Sequence, residues 1–295
     1  MLRHAVIVAL LLWSTAAWAG SLLLRSAHAV VVDEATGEVL FEKNGSTAAP
    51  IASLTKLMTA MVVLDARQDP EELIRITADD LDTLKHTRSG VRPGIVLPRA
   101  GLLELTLIAS DNHAAMALAR HYPGGLAAFR TAVGSKIQSL ALRSTVIEEP
   151  TGLSPNNRSS ALDMVKIMRA AADYKAITDI TSKRQHVLRV NGRNYTVRNT
   201  NKLVGAPGWD IQLSKTGFTN EAGRCLAMRV QAAGRNVAVV LMGAVGPSQR
   251  ARDALSIRRW LAAEPSAPKR RQVQTSPALQ AIADRVEPMG TAYLR

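Results

Sequence analysis

Apolar positions change their period twice along this chain. Near the start, Val30-Val31-Val32 and Val39-Leu40-Phe41 flank Ala35-Thr36-Gly37, which predicts a strand, a turn and a strand over residues 28–43. From Ser53 the spacing becomes helical, with Leu54, Leu57, Met58, Met61, Val62 and Leu64 on the recurring positions. Residues 71–100 are mixed and rich in turn formers. Leu102 to Ile108 reads as a buried helix ending near Ser110. Further helices are expected over 112–121, stopped by Pro123-Gly124-Gly125, over 127–141, and over 160–172 with Ser159 or Ser160 as N-cap. From about residue 186 the pattern turns strand-like again. Val187–Val190 and Tyr195–Val197 flank an Asn191-Gly192 turn, Ile211–Lys215 is a strand, and Leu226–Val230 pairs with Val237–Met242 across Ala233-Gly234-Arg235. An amphipathic helix closes the pattern over 248–262.

Strands, then helices, then strands predict an α+β fold. One antiparallel sheet is built from both chain ends, and a helical lobe is inserted between them. A cleft is expected where lobe meets sheet.

The two ends depart from this body. Arg3 and His4 precede the apolar run Ala5–Trp13, and Ala17-Trp18-Ala19 is a small-x-small site, so residues 1–19 read as a signal peptide cleaved after about Ala19. The run is too short to span a bilayer comfortably. Export places residues 20–263, the folded domain, in a periplasm. Residues 264–295, with Pro265, Pro268 and Pro277 around Lys269-Arg270-Arg271, read as a flexible basic tail, which supports at most peripheral membrane contact. The 295 residues carry a net charge of +13, but only 4% are aromatic, and no helix-turn-helix or zinc spacing occurs. With export, this argues against a nucleic-acid partner. The charge serves attraction to an anionic wall or membrane, or solubility alone. The single Cys225 lies in an apolar run and reads as a buried thiol without a disulfide. The six histidines are scattered, and neither a metal site nor a cofactor is expected.

Chemistry is concentrated in three short motifs: Ser53-Leu-Thr-Lys56, Ser110-Asp111-Asn112 and Lys215-Thr216-Gly217. Ser53 and Lys56 are three apart, so both side chains fall on one helix face. Serine is a weak nucleophile that needs an adjacent base, and a desolvated lysine in a cationic pocket supplies one. Ser110 is able to relay a proton, and the Asn112 amide to orient a substrate amide. Lys215 and Thr216 on an edge strand are able to hold a carboxylate, and Gly217 admits a close backbone. Each motif alone fits a bland reading: a capping serine, a polar interhelix turn, a strand end. Together they supply what acyl transfer on a peptide requires.

The chain resembles the serine D-Ala-D-Ala peptidases, the low-molecular-mass penicillin-binding proteins, from about residue 28 to about 262. The resemblance is dense in Pro50-Ile-Ala-Ser-Leu-Thr-Lys-Leu-Met-Thr-Ala-Met61, Glu149-Pro-Thr-Gly-Leu-Ser154, Arg198-Asn-Thr-Asn-Lys-Leu203 and Gln212–Cys225. With His121-Tyr-Pro-Gly-Gly125, these stretches look most like the D-alanyl-D-alanine endopeptidase branch, which cuts D-Ala–meso-diaminopimelate cross-links. The resemblance implies a β-lactamase/transpeptidase-like fold, peptidoglycan stem peptides as substrate and β-lactams as inhibitors. It makes Ser53 the acylated nucleophile, Lys56 its proton acceptor and Ser110 the donor to the leaving amine. Asn112, Lys215, Thr216 and Gly217 would bind substrate, and the backbone N–H groups of Ser53 and Phe218 would form the oxyanion hole. Three other readings compete: a D-alanyl-D-alanine carboxypeptidase with the same chemistry, a β-lactamase using Glu148 or Glu149 to aim water, and a wall-binding scaffold with an inactive pocket.

Overall fold

The computed structural model describes residues 22–190 and 192–263. The expected signal peptide, the tail and Asn191 lie outside the described residues.

The first hairpin is β1 (His28–Asp33) and β2 (Val39–Lys43). A two-residue strand, β3 (Ala49–Pro50), leads to a 3-10 turn over Ala52–Leu54 and then α1 (Thr55–Asp65). The mixed stretch contributes the short pair β4 (Leu73–Arg75) and β5 (Val96–Pro98). Four helices follow: α2 (Arg99–Glu104), α3 (Asn112–Arg120), α4 (Gly125–Ser139) and, after β6 (Arg158–Ser159), α5 (Ala161–Ala172). A short α6 (Lys175–Thr181) completes the lobe. Then come the hairpin β7 (Gln185–Val190) and β8 (Arg193–Arg198), the three long strands β9 (Asp210–Thr219), β10 (Gly223–Ala232) and β11 (Arg235–Ala244), and α7 (Gln249–Ala263).

The sheet has the order β2-β1-β11-β10-β9, so β1 from one end of the chain lies beside β11 from the other. All four pairings are antiparallel. In β1, Val30 and Val32 enter one apolar core with α1 and α5, while Ala29 and Val31 enter another under α7. In β11, Ala238, Val240 and Met242 face the first core and Val237, Val239 and Leu241 the second. A strand covered on both faces reads as an unbroken apolar run, which is why these two are the plainest strands in the sequence. Cys225 is buried in the first core, and burial pushes its thiol up to about 11.

Some boundaries differ from expectation for identifiable reasons. Ser53 lies in the 3-10 turn ahead of α1, because Ala52 adopts a left-handed φ of 47°. The helix expected over 102–108 begins at Arg99 and ends as a π-turn over Leu105–Ala109. The helix expected to reach Ala141 stops at Ser139, and Ala141 has a φ of 49°. Ser160 caps α5, its side chain accepting from Asp163 N–H. Lys215-Thr216-Gly217 lies inside β9 rather than at a strand end. Among the described residues no helix is long and apolar enough to cross a membrane.

One buried carboxylate ties the chain's early residues to α7. Asp253 accepts from Ser26 N–H at 2.7 Å, Ser26 Oγ at 2.6 Å, Arg25 N–H at 3.2 Å and Gln249 Nε2 at 2.8 Å. Asp253→Ala strands buried donors and is expected to destabilise the protein by about 2 kcal/mol. A lower urea midpoint with unchanged slope checks this, and an unaltered midpoint contradicts it.

Candidate active site

The three motifs converge at the cleft between lobe and sheet. Lys56 Nζ lies 2.9 Å from Ser53 Oγ, 2.6 Å from Asn112 Oδ1 and 2.6 Å from the Thr151 carbonyl oxygen. Lys215 Nζ donates to Ser110 Oγ at 2.7 Å and to the Thr216 carbonyl at 3.0 Å. Among the described residues neither amine is in hydrogen-bond contact with a carboxylate, and both lysines are almost fully enclosed, at 0% and 1% exposure.

Burial without an ion partner disfavours the ammonium form. It lowers the Lys56 pKa to about 8, against opposing contributions from Glu149, Asp111 and Asp82. Lys215 is lowered well below its ordinary value by burial first, then by the charges of Lys56 and Arg250. At a pKa of about 8, roughly one Lys56 in ten is a neutral amine at pH 7. A neutral amine has two N–H groups and one lone pair. The two acceptors, Asn112 Oδ1 and Thr151 O, take the N–H groups and leave the lone pair for the Ser53 hydroxyl proton.

The Asn112 amide orientation that this requires is set by a carboxylate behind it. Thr87 Oγ1 donates to Asp82 Oδ2 at 2.6 Å, so it accepts from Asn112 Nδ2 at 2.7 Å. The amide oxygen is thereby turned to Lys56. Burial raises the Asp82 pKa, but the Thr87 hydroxyl and three backbone N–H groups, from Lys85, Thr87 and Leu84, hold the carboxylate in place and lower it overall.

Local backbone geometry aims the remaining groups. The π-turn ahead of Ser110 leaves that serine in the left-handed region, with φ 61° and ψ 33°. An L-residue there is strained by about 1 kcal/mol, a cost that tends to gather at functional sites. Asp111 then caps α3, accepting from Ala114 N–H at 3.0 Å, and its other oxygen binds Ser89 Oγ and Gly90 N–H.

The 148–157 loop fixes the turn that carries Ser53. Glu149 accepts from Thr151 N–H and Oγ1, Gly152 N–H, Ser154 N–H and Asn157 Nδ2. Glu148 is engaged by Ser154 Oγ and Asn156 Nδ2. Both carboxylates therefore organise their own loop, and neither is left aimed at water near Ser53. Gly152, with φ +86°, lies so close to the turn that an added Cβ would meet the Ala52 carbonyl oxygen at 2.0 Å. On the other wall, a Cβ on Gly217 would stand 3.0 Å from the Ser53 nitrogen, so β9 also abuts the turn.

Three supporting residues, Asp82, Thr87 and Arg250, carry no sequence signal, and Thr200, inside the Arg198–Leu203 stretch, carries none for its role. Thr200 Oγ1 bonds Thr216 Oγ1 at 2.6 Å. Arg250, from α7, donates to the carbonyls of Gly217 and Cys225 at 3.0 and 3.1 Å. Thr87 and Arg250 lie far in sequence from the residues they hold, and neither belongs to a spaced motif. No group of three or more metal-ligating side chains occurs among the described residues.

A serine hydroxyl against a buried amine, with a second serine against a second amine, defines a serine–lysine peptidase on a transpeptidase-like fold. Residues 16–246 match the D-alanyl-D-alanine carboxypeptidase family, and the chain belongs to it. It is 41% identical over 240 residues to the D-alanyl-D-alanine endopeptidases of Pseudomonas aeruginosa and of Escherichia coli, covering 81% of this chain and 77% of each relative. Among solved structures it is similar to penicillin-binding protein D2 of Listeria monocytogenes in its cefotaxime-bound form. That similarity is 25% identity with a TM-score of 0.73, over 82% of this chain and 99% of the other.

Gly152→Ala is expected to push the Ser53 turn out of place and slow β-lactam acylation on the order of 100-fold, since displacements near 1 Å cost that much. Stopped-flow labelling with a fluorescent penicillin measures it, and native rates in this variant contradict the account.

Proposed function

We propose that this protein is a periplasmic serine DD-peptidase that opens D-alanyl bonds of peptidoglycan through an acyl-enzyme at Ser53, acting on D-Ala–meso-diaminopimelate cross-links. The observation that carries this reading is the 2.9 Å contact between Ser53 Oγ and the enclosed amine of Lys56. Ser53 Oγ attacks the D-Ala carbonyl carbon, and its proton passes to Lys56 Nζ. The resulting oxyanion lies between the backbone N–H groups of Ser53 and Phe218; losing one such donor costs about 3 kcal/mol of barrier. The C–N bond then breaks. The leaving amine gains the proton through Ser110, whose hydroxyl is held by Lys215. Water, deprotonated by the same amine, cleaves the ester and restores Ser53.

Asn112 binds the substrate amide, and Lys215 and Thr216 bind the acyl-donor strand along β9, where Gly217 admits the substrate backbone. The endopeptidase names of the two 41%-identical relatives support the cross-link as substrate, and the cefotaxime-bound neighbour supports β-lactams as inhibitors. The occupied carboxylates of Glu148 and Glu149 argue against fast β-lactam turnover. The signal-like residues 1–19 support export.

Two assays test this. Ser53→Ala is expected to abolish covalent penicillin labelling, and persistent labelling contradicts the nucleophile. Purified sacculi are expected to lose muropeptide dimers by mass spectrometry. Loss of one alanine from monomers, with dimers intact, makes the protein a carboxypeptidase instead.

A further inference from the structure

Between Lys183 and Lys202 the chain carries six cations, Lys183, Arg184, Arg189, Arg193, Arg198 and Lys202, and the next carboxylate is Asp210. The β7–β8 hairpin folds the ends of this stretch together. Asn199 N–H donates to the Arg184 carbonyl at 2.9 Å, and Asn199 Nδ2 to the carbonyls of Thr181 and Lys183. The result is an open groove of about 810 Å³ lined by Lys183, Arg184, Arg198 and Lys202, with polar Gln185, Asn199 and Asn201. No aspartate or glutamate lines it. None of the four cations has an ion pair or side-chain hydrogen bond among the described residues. Several cations elsewhere are matched, as in Lys85–Glu221, Arg120–Asp80 and Lys136–Asp65. Four unmatched like charges around one concavity make a focused positive field, which attracts anions.

The groove's position gives that field a purpose. Asn201 in its lining and the adjacent Thr200 are bonded to chain neighbours of Ser110 and Lys215, the groups that face a departing amine in the proposed reaction. Thr200 N–H donates to the Ile108 carbonyl at 3.2 Å, in the turn that presents Ser110. Asn201 Nδ2 donates to Ser214 Oγ at 2.8 Å, and Thr200 Oγ1 bonds Thr216 Oγ1, on either side of Lys215. The groove therefore lies behind the Ser110–Lys215 wall of the cleft, joined to it through Thr200 and Asn201. A carboxypeptidase releases a single alanine, with one carboxylate and little reach. A cross-link releases a whole stem peptide, whose glutamyl, diaminopimelyl and terminal residues carry several carboxylates.

We infer that the Lys183–Arg184–Arg198–Lys202 groove binds the carboxylates of the released stem peptide and so directs the enzyme to cross-linked substrate. This rests on the proposed peptidase reading of the Ser53 site. It assigns the groove to recognition of the departing strand and leaves the bond-breaking step to Ser53, Lys56 and Ser110.

The test uses the full-length protein with Arg184→Gln/Arg198→Gln and, separately, Arg198→Glu/Lys202→Glu. Three rates are compared: cleavage of a purified cross-linked dimer, release of D-alanine from a monomeric pentapeptide, and acylation by benzylpenicillin. The neutral pair is expected to lose on the order of tenfold in kcat/KM on the dimer, and the reversed pair more, with the other two rates unchanged. In the native protein the dimer rate alone is expected to fall as salt rises, since exposed charges are screened. A native protein assayed on dimers whose diaminopimelyl carboxylates are amidated is expected to show a comparable loss, to which the variants add little. Equal loss in all three rates, or no loss on the dimer, overturns the inference. So does weakened binding to anionic vesicles with dimer cleavage intact, which gives the groove to lipid. Failure of penicillin to label the native protein instead overturns the Ser53 reading, a distinct result.

Discussion

Two amines enclosed in one cleft, neither touching a carboxylate, are the constraint on which the rest of this structure depends. Removing an ammonium from water costs several kcal/mol unless a counter-charge is supplied. Here Lys56 meets a hydroxyl, an amide oxygen and a carbonyl, and Lys215 meets a hydroxyl and a carbonyl. Each also repels the other. The fold accepts this cost and converts it into basicity that is available near neutral pH. Carboxylates are present, but held back from the amine: Asp82 acts through Thr87 and Asn112, Asp111 through the cap of α3, and Glu149 through its own loop. Placed any closer, they would hold Lys56 as a cation and remove the base that the proposed reaction requires.

The frame follows from where these groups must stand. Ser53 and Lys56 come from the entry to α1, Ser110 and Asn112 from either side of a left-handed turn between helices, and Lys215 from the edge strand. A sheet assembled from both chain ends carries the last against the first two, and helices cover one of its faces while α7 covers the other. Arg250 brings α7 into the site by holding the Gly217 and Cys225 carbonyls of β9 and β10. Tight approaches at Gly152 and Gly217 press both walls of the cleft on the Ser53 turn, which leaves Ser53 little room to move.

Much of this was legible in the sequence, for physical reasons. The strands β1 and β11 are apolar at consecutive positions because both faces are covered, and the helical run after Ser53 is apolar because α1 is central to the core. The three motifs were readable because each packs its chemistry into three or four residues. What was hidden depends on long-range approach. Asp82 and Thr87 sit in a stretch with no periodicity, and the hydrogen bond from Asn112 to Thr87 crosses the fold. Ser110's strained conformation comes from a π-turn, which leaves no signature in residue type. The unmatched cations around β7 and β8 are spread over twenty positions and become a groove only when the hairpin closes.

The central claim concerns one proton. NMR titration of the protein with lysine labelled at Nζ and Cε, assigned with Lys56→Arg, measures it directly. A Lys56 resonance titrating near pH 8 is the expected result. A midpoint at or above 10, the value of a solvated lysine, would contradict the account, because Ser53 would then face an ammonium ion with no lone pair to receive its proton.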